Sequence, residues 1–144
     1  NRENKKGKRD KEELRKRALE LMEKLSIADL YNRKISEVSG GQLQRACICR
    51  SMINSPRIIF ADEPTGALNK SATKEVMSAM SALNKEGTTI LMVTHDSKLA
   101  SRCNRVLYIL DGQIKGEYRF EENDQNNDKE REEQLACWLS DFDW

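Results

Sequence analysis

Two short apolar runs constrain this chain more than anything else in it. Ile58-Ile59-Phe60-Ala61 and Thr89-Ile90-Leu91-Met92-Val93 are too brief for helices and too apolar for loops. Runs of that length read as buried strands of a parallel sheet. Between them, Val76, Met77, Met80 and Leu83 fall on one face at helical spacing, which predicts a helix over 71–85 ended by Gly87. Strand, helix and strand in that order predict an α/β architecture. The first run ends in Asp62-Glu63 and the second in Thr94-His95-Asp96. Open α/β sheets hold their ligands beyond the C-terminal ends of the strands. Asp62 can hold Mg²⁺ through water, because that ion prefers oxygen ligands and keeps several waters. Glu63 is placed to polarise a water that attacks a phosphate.

A second feature lies upstream. Val38-Ser39-Gly40-Gly41-Gln42 reads as a glycine-rich turn leading into a helix over 43–53, stopped by Asn54-Ser55-Pro56. Such a turn presents backbone N–H groups and the positive end of a helix dipole to an anion. Ser39 adds a hydroxyl, and Gly40 and Gly41 allow close approach to the backbone. Taken alone, this is an ordinary serine-capped helix start. Followed at close spacing by the two strand-end clusters, it becomes a candidate phosphate site.

These motifs, in this order, resemble the C-terminal part of an ABC-type ATPase, the nucleotide-binding subunit of ABC transporters. Val38 to Gln42 match the signature loop, Ile58 to Glu63 match Walker B with its catalytic glutamate, Gly66-Ala67-Leu68-Asn69 match the D-loop, and His95 matches the H-loop histidine. The resemblance covers residues 14–116. The wording Ala-Asp-Glu-Pro-Thr-Gly-Ala-Leu is most similar to the lipoprotein-release, macrolide and antimicrobial-peptide exporters. It implies part of a P-loop NTPase-type parallel sheet with flanking helices, part of the helical signature subdomain and a C-terminal β-hairpin. It implies ATP and Mg²⁺ as ligands, with Glu63 and His95 catalytic and with Ser39, Gly40, Gly41, Gln42, Asp62 and Asn69 contacting nucleotide. It implies two partners: a second nucleotide-binding domain paired head-to-tail and a membrane permease, at the inner face of the cell membrane. Val38 replaces the commoner leucine, and Asn69 replaces the usual aspartate, removing a charge at the dimer seam.

Such a cassette also needs the phosphate loop G-x-x-x-x-G-K-[ST]. Here the only Gly-Lys pair is Gly7-Lys8, followed by Arg9. Weak or no hydrolysis by this chain alone is therefore expected. In the family, the strand before the phosphate loop lies between the His95 strand and the strand at 106–110. Its absence predicts two unpaired apolar edges, and with them self-association, strand swapping or dependence on an upstream partner. Two alternatives remain open: a non-transport ABC ATPase, and an inactive remnant that binds a partner subunit.

The remaining chain divides into a basic arm at 1–11, a helical and signature region at 12–54, the strand core at 55–120, and a linker with a last helix at 121–144. Asp10 is a candidate cap for a helix over 11–25, with Leu14, Ala18, Leu21, Met22 and Leu25 on one face. Residues 26–37 read as a connecting loop and 96–102 as a short helix. Asp111-Gly112 between strands at 105–110 and 113–120 is a hairpin signal. Polar residues 121–133 read as a flexible linker, and Leu135, Trp138 and Leu139 as a face that docks back on the domain or on a partner. With 25 basic and 24 acidic residues, the net charge of +1 supplies no field for nucleic acid, so none is expected as a partner. Cys47, Cys49, Cys103 and Cys137 lack zinc spacing and read as buried, reduced residues of a cytoplasmic protein.

Overall fold

The computed structural model describes residues 2–121 and 127–142, with side chains from Lys11 onward. The chain forms two compact units, residues 1–93 and 94–144.

The first unit begins with α1 (Arg2–Lys24). The expected basic arm is thus already helical, and Asp10 lies inside the helix rather than at its cap. Two single 3₁₀ turns, Ala28–Leu30 and Ile35–Glu37, occupy the expected loop. The signature helix α2 spans Gly40–Met52, three residues longer at its start than the pattern suggests. Gly40 and Gly41 form its first turn instead of preceding it, because Ser39 already caps the helix. Beyond α2, Ser55 adopts a left-handed φ of 48° just before Pro56.

Strand β1 (Ile58–Asp62), helix α3 (Lys70–Lys85) and strand β2 (Thr89–Val93) follow in the expected order. β1 and β2 are parallel, in register from Ile58 with Thr89 to Asp62 with Val93. All four apolar residues assigned to the α3 face, Val76, Met77, Met80 and Leu83, are buried. Gly87 ends the element at φ 97°, a conformation that glycine adopts without strain. The expectation that β1 and β2 are buried on both faces is not met. Ile59 is buried, but Ile58, Phe60, Leu91 and Val93 on the opposite face are exposed. A side chain left in this way forgoes about 1.5–3 kcal/mol of burial free energy.

The second unit contains α4 (Ser97–Ala100), the antiparallel strands β3 (Arg105–Leu110) and β4 (Gln113–Arg119), and α5 (Asp128–Ser140). Asp111 and Gly112 both take positive φ, 50° and 72°, which closes the tight hairpin. α5 docks on this hairpin through a core of Phe120, Leu135 and Leu139, joined by Val106, Tyr108, Tyr118 and Trp138. Rings pack edge to face around it: Tyr118 lies 4.9 Å from Phe120, and Trp138 lies 5.0 Å from Phe142. Gly116 makes room, since a β-carbon there would meet Phe142 at 2.5 Å and Trp138 at 2.8 Å. Part of the expected linker, residues 122–126, lies outside the described residues.

Among the described residues, β2 pairs only with β1 and β3 only with β4, so both sheets keep open edges. The cysteines divide. Cys49 is buried and Cys103 half-buried, and burial pushes both thiols up, with the Arg131 charge partly opposing this at Cys103. Cys47 and Cys137 are exposed, contrary to expectation, because their helix positions face away from the packed sides.

Candidate functional site

At the start of α2, Ser39 and Gln42 form a reciprocal cap. Ser39 Oγ accepts from the Gln42 N–H at 3.3 Å, and Gln42 Oε1 accepts from the Ser39 N–H at 2.9 Å. Both side chains are therefore held against their own backbone. The Gly40 and Gly41 N–H groups are the remaining donors of this helix end, since neither has a carbonyl four residues upstream within the helix. Ser39 and Gly40 are exposed, whereas Gly41 is buried.

Gly41 has a second role that the sequence pattern did not reveal. A β-carbon on it would stand 2.7 Å from Cβ of Ala72, and one on Gly40 would stand 3.2 Å from Leu68. The glycines let the signature turn pack directly on the segment where α3 begins. Asn69 caps α3, its Oδ1 accepting from the Ala72 N–H at 2.9 Å. Two capped helix starts thus lie side by side, one carrying the signature residues and the other Asn69. Asparagine performs this cap as well as aspartate does.

Asp62 is the last residue of β1 and is exposed. Glu63 follows at φ 43°, a left-handed conformation unusual for a residue with a β-carbon. Its N–H donates to the Val93 carbonyl at 2.9 Å, continuing the parallel ladder, and its carbonyl accepts from Gly66 at 3.2 Å. The strand pairing and the turn at 63–66 hold this backbone from both sides. His95 lies two residues past Val93 in the chain, in the second unit, and is exposed. The segment around it is shaped by short local bonds: Thr94 Oγ1 accepts from Asp96 N at 3.1 Å, and Asp96 Oδ1 from Lys98 N at 2.8 Å.

Within the first unit the structure therefore joins Ser39, Gly40, Gly41 and Gln42 to Asn69 through the α2–α3 contact, and it joins Asp62 to Glu63 at one strand end. Arg45, one turn below Gly41, extends the same seam by pairing with Glu75 of α3. Its place four residues after Gly41 was the available sequence signal, but a charged residue at that spacing usually faces water.

Asp62 offers a carboxylate at an exposed strand end, a hard oxygen donor of the type that Mg²⁺ takes while retaining waters. Among the described residues no group of three or more His, Cys, Asp and Glu gathers as a protein-only metal cage. One carboxylate with a largely hydrated ion fits that arrangement.

The ABC transporter family model matches residues 1–66. The ABC transporter ATP-binding protein YxdL of Bacillus subtilis is 50% identical over 103 residues, covering 71% of this chain and 40% of that protein. The macrolide export ATP-binding/permease protein MacB of Wolinella succinogenes is 46% identical over 102 residues, covering 71% of this chain and 16% of that protein. Among solved structures, the ADP conformation of MJ1267, an ATP-binding cassette, matches with TM-score 0.76 at 27% identity, over 90% of this chain and 47% of that one. The dimeric post-hydrolysis cassette MJ0796, bound to ADP and Pi, matches with TM-score 0.64 at 39% identity, over 75% of this chain and 47% of that one. The chain spans less than half the length of these relatives.

Proposed function

We propose that this chain, which belongs with the ATP-binding subunits of ABC transporters, supplies the signature and water-activating parts of an ATPase that powers export across a membrane. The observation that carries this reading is Glu63. A carboxylate directly after a parallel strand, in a left-handed conformation and anchored by its N–H to Val93, has its backbone fixed at the sheet end where α/β proteins hold their ligands.

In this reading Glu63 accepts a hydrogen bond from the water that attacks the terminal phosphate and orients it. His95 takes the H-loop role that the family resemblance gives it, a contact to the terminal phosphate. Asp62 holds Mg²⁺ through water, and the ion would supply charge neutralisation at the phosphates. These residues serve nucleotide cradled by a phosphate loop outside this sequence. The signature turn serves a different nucleotide, held by a second cassette paired head-to-tail. Its Gly40 and Gly41 N–H groups and the Ser39 hydroxyl meet the terminal phosphate at a helix start, where the dipole favours negative charge. The capped geometry orients these donors in advance, so little reorganisation is needed when phosphate arrives. Asn69 sits on the seam between the two cassettes. A permease takes up the resulting opening and closing and places the chain at the inner face of the membrane.

On its own, the 144-residue chain binds and hydrolyses ATP weakly or not at all. A calorimetric titration of Mg-ATP into the purified chain tests this, and micromolar binding would overturn it. Mixing the chain with an intact cassette of the same group tests the rest. Ser39→Ala should lower the mixture's ATPase rate about tenfold or more, the usual scale for losing a phosphate-directed donor. A rate indifferent to Ser39 would count against the signature role. Glu63→Gln should remove whatever hydrolysis returns when a phosphate-loop segment is supplied.

A further inference from the structure

We propose that Arg131 of α5 is a positioning residue for His95, acting through α4 and resting on the H-loop role already given to that histidine. His95 is exposed and leads into α4, a helix of only four residues, Ser97–Ala100. So short a helix has little stability of its own. A run of hydrogen bonds orders it and continues on both sides. Thr94 Oγ1 accepts from the Asp96 N–H at 3.1 Å, and Asp96 Oδ1 from the Lys98 N–H at 2.8 Å. The Asp96 carbonyl accepts from the Leu99 and Ala100 N–H groups, and the Ser97 carbonyl from the Ser101 N–H. The Ser101 hydroxyl donates to the Lys98 carbonyl at 2.9 Å, and Ser101 itself is buried. The His95 backbone lies inside this run, which joins it to Ser101 without a gap.

Past Ala100 the helix has no donors of its own for the carbonyls that follow. Arg131 supplies them from α5. Its Nε donates to the Ser101 carbonyl and its Nη2 to the Cys103 carbonyl, each at 2.9 Å. Its guanidinium carbon stands 3.7 Å from the centre of the Phe120 ring, which is buried in the α5 core. The side chain is therefore backed by a ring and spans two carbonyls two residues apart. A planar fork makes both bonds at once, which a lysine ammonium, a single point of charge, does not. A weaker tie runs beside it: Arg102 donates to the exposed Asp128 at the start of α5, at 3.1 Å. Leu135 and Leu139 dock α5 on the hairpin, and α4 meets that core through Ala100. Apolar contact of this kind is non-directional, whereas the two bonds from Arg131 set the direction of the α4 end. Through the run of bonds, they also set the turn that carries His95.

NMR on the full chain tests this through amide hydrogen exchange and the ring signals of His95, which are unambiguous because the chain has one histidine. Arg131→Gln should lower protection of the Leu99, Ala100 and Ser101 amides about tenfold or more, the scale of one lost charge-assisted hydrogen bond. It should also shift and broaden the His95 ring signals while the Leu135 and Leu139 amides stay protected. Arg131→Lys keeps the charge and should not restore His95. Asp128→Ala removes the weaker, exposed tie and should move the same signals by less. His95 signals unchanged in Arg131→Gln with α5 still docked, or fully restored by lysine, would overturn the proposal. Where Arg131→Gln undocks α5, Asp128→Ala decides, and an unmoved His95 there overturns it. These readouts use no nucleotide, so the tie can fail while the ATPase reading stands, or the reverse.

Discussion

The β1–β2 sheet and the β3–β4 hairpin differ in how each covers its apolar side chains: the hairpin leaves Ile109, Leu110 and Ile114 exposed beside its turn but covers its other end with α5, whereas the parallel sheet leaves one face open along its length. In the hairpin unit, α5 returns over the strands and Phe120 is left 7% exposed. In the first unit, Phe60 is 73% and Val93 60% exposed, although α3 packs against β2 and Ile59 is buried. The hairpin is closed by a segment that follows it in sequence, so its core forms from contacts short along the chain. The parallel sheet shows an apolar surface that no described residue covers, next to strand edges that no described strand pairs. A sheet in that state is a template for association.

The largest test of this contrast is the pair Leu135→Ala and Phe60→Ser. Leu135 is fully buried between α5 and the hairpin, so its truncation should cost about 2–5 kcal/mol in urea unfolding followed by Trp138 fluorescence. Phe60→Ser should change stability by less than about 0.5 kcal/mol. It should instead reduce self-association of the chain, read by light scattering. A monodisperse wild-type monomer would remove the aggregation half of the contrast.

Next in size are the two glycines on which packing depends. Gly41→Val drives a side chain into Ala72 of α3, and Gly116→Val drives one into Trp138 and Phe142. Each should cost about 1–3 kcal/mol by overpacking. Hydrogen exchange should show them to be local, with Gly41→Val loosening the starts of α2 and α3 and Gly116→Val releasing α5. If either change loosened both units equally, the division into two compact bodies would be too sharp.

A smaller effect belongs to Asn69. Asn69→Ala removes the acceptor for the Ala72 N–H and should cost about 1 kcal/mol in denaturant unfolding. Asn69→Asp should restore that loss, and add a few tenths of a kcal/mol from its charge at the helix start. The smallest effect lies on the hairpin's surface. Bidentate hydrogen bonds from Arg105, at 3.0 Å each, and a further contact from Arg119 hold the Glu117 carboxyl below its ordinary range. A depressed folded-state value stabilises above the unfolded carboxylate pKa, and the contribution is lost as pH falls through the folded value. Because Glu117 is exposed, solvent screens this interaction heavily. An NMR pH titration should show the Glu117 midpoint rise in Arg105→Gln while stability at neutral pH barely changes.

The elements themselves were legible from residue pattern. The apolar runs located β1 and β2, helical spacing located the buried face of α3, and Asp111-Gly112 located the hairpin turn, because each signal is short-range and chemically specific. Ser39 was legible as a helix cap for the same reason. The errors fell where a local signal competes with neighbours. Asp10 resembles a cap but lies inside α1, and Gly40 and Gly41 read as a turn but begin α2.

What the sequence by itself determined, then, is the order of the elements and the residues Asp62, Glu63, His95 and Ser39 to Gln42 as a candidate site. Periodicity, capping and turn chemistry act over a few residues and are written in residue order. Tertiary structure alone decided that Gly41 rests on Ala72, that Glu63 is held in a left-handed conformation by Val93, that Arg45 is buried against Glu75 with Nε unpaired, and that one sheet face is covered while another is not. Each of these depends on which surfaces meet across thirty or so residues of chain. That is settled by the packing of whole faces, where burial and steric fit outweigh what any single residue prefers.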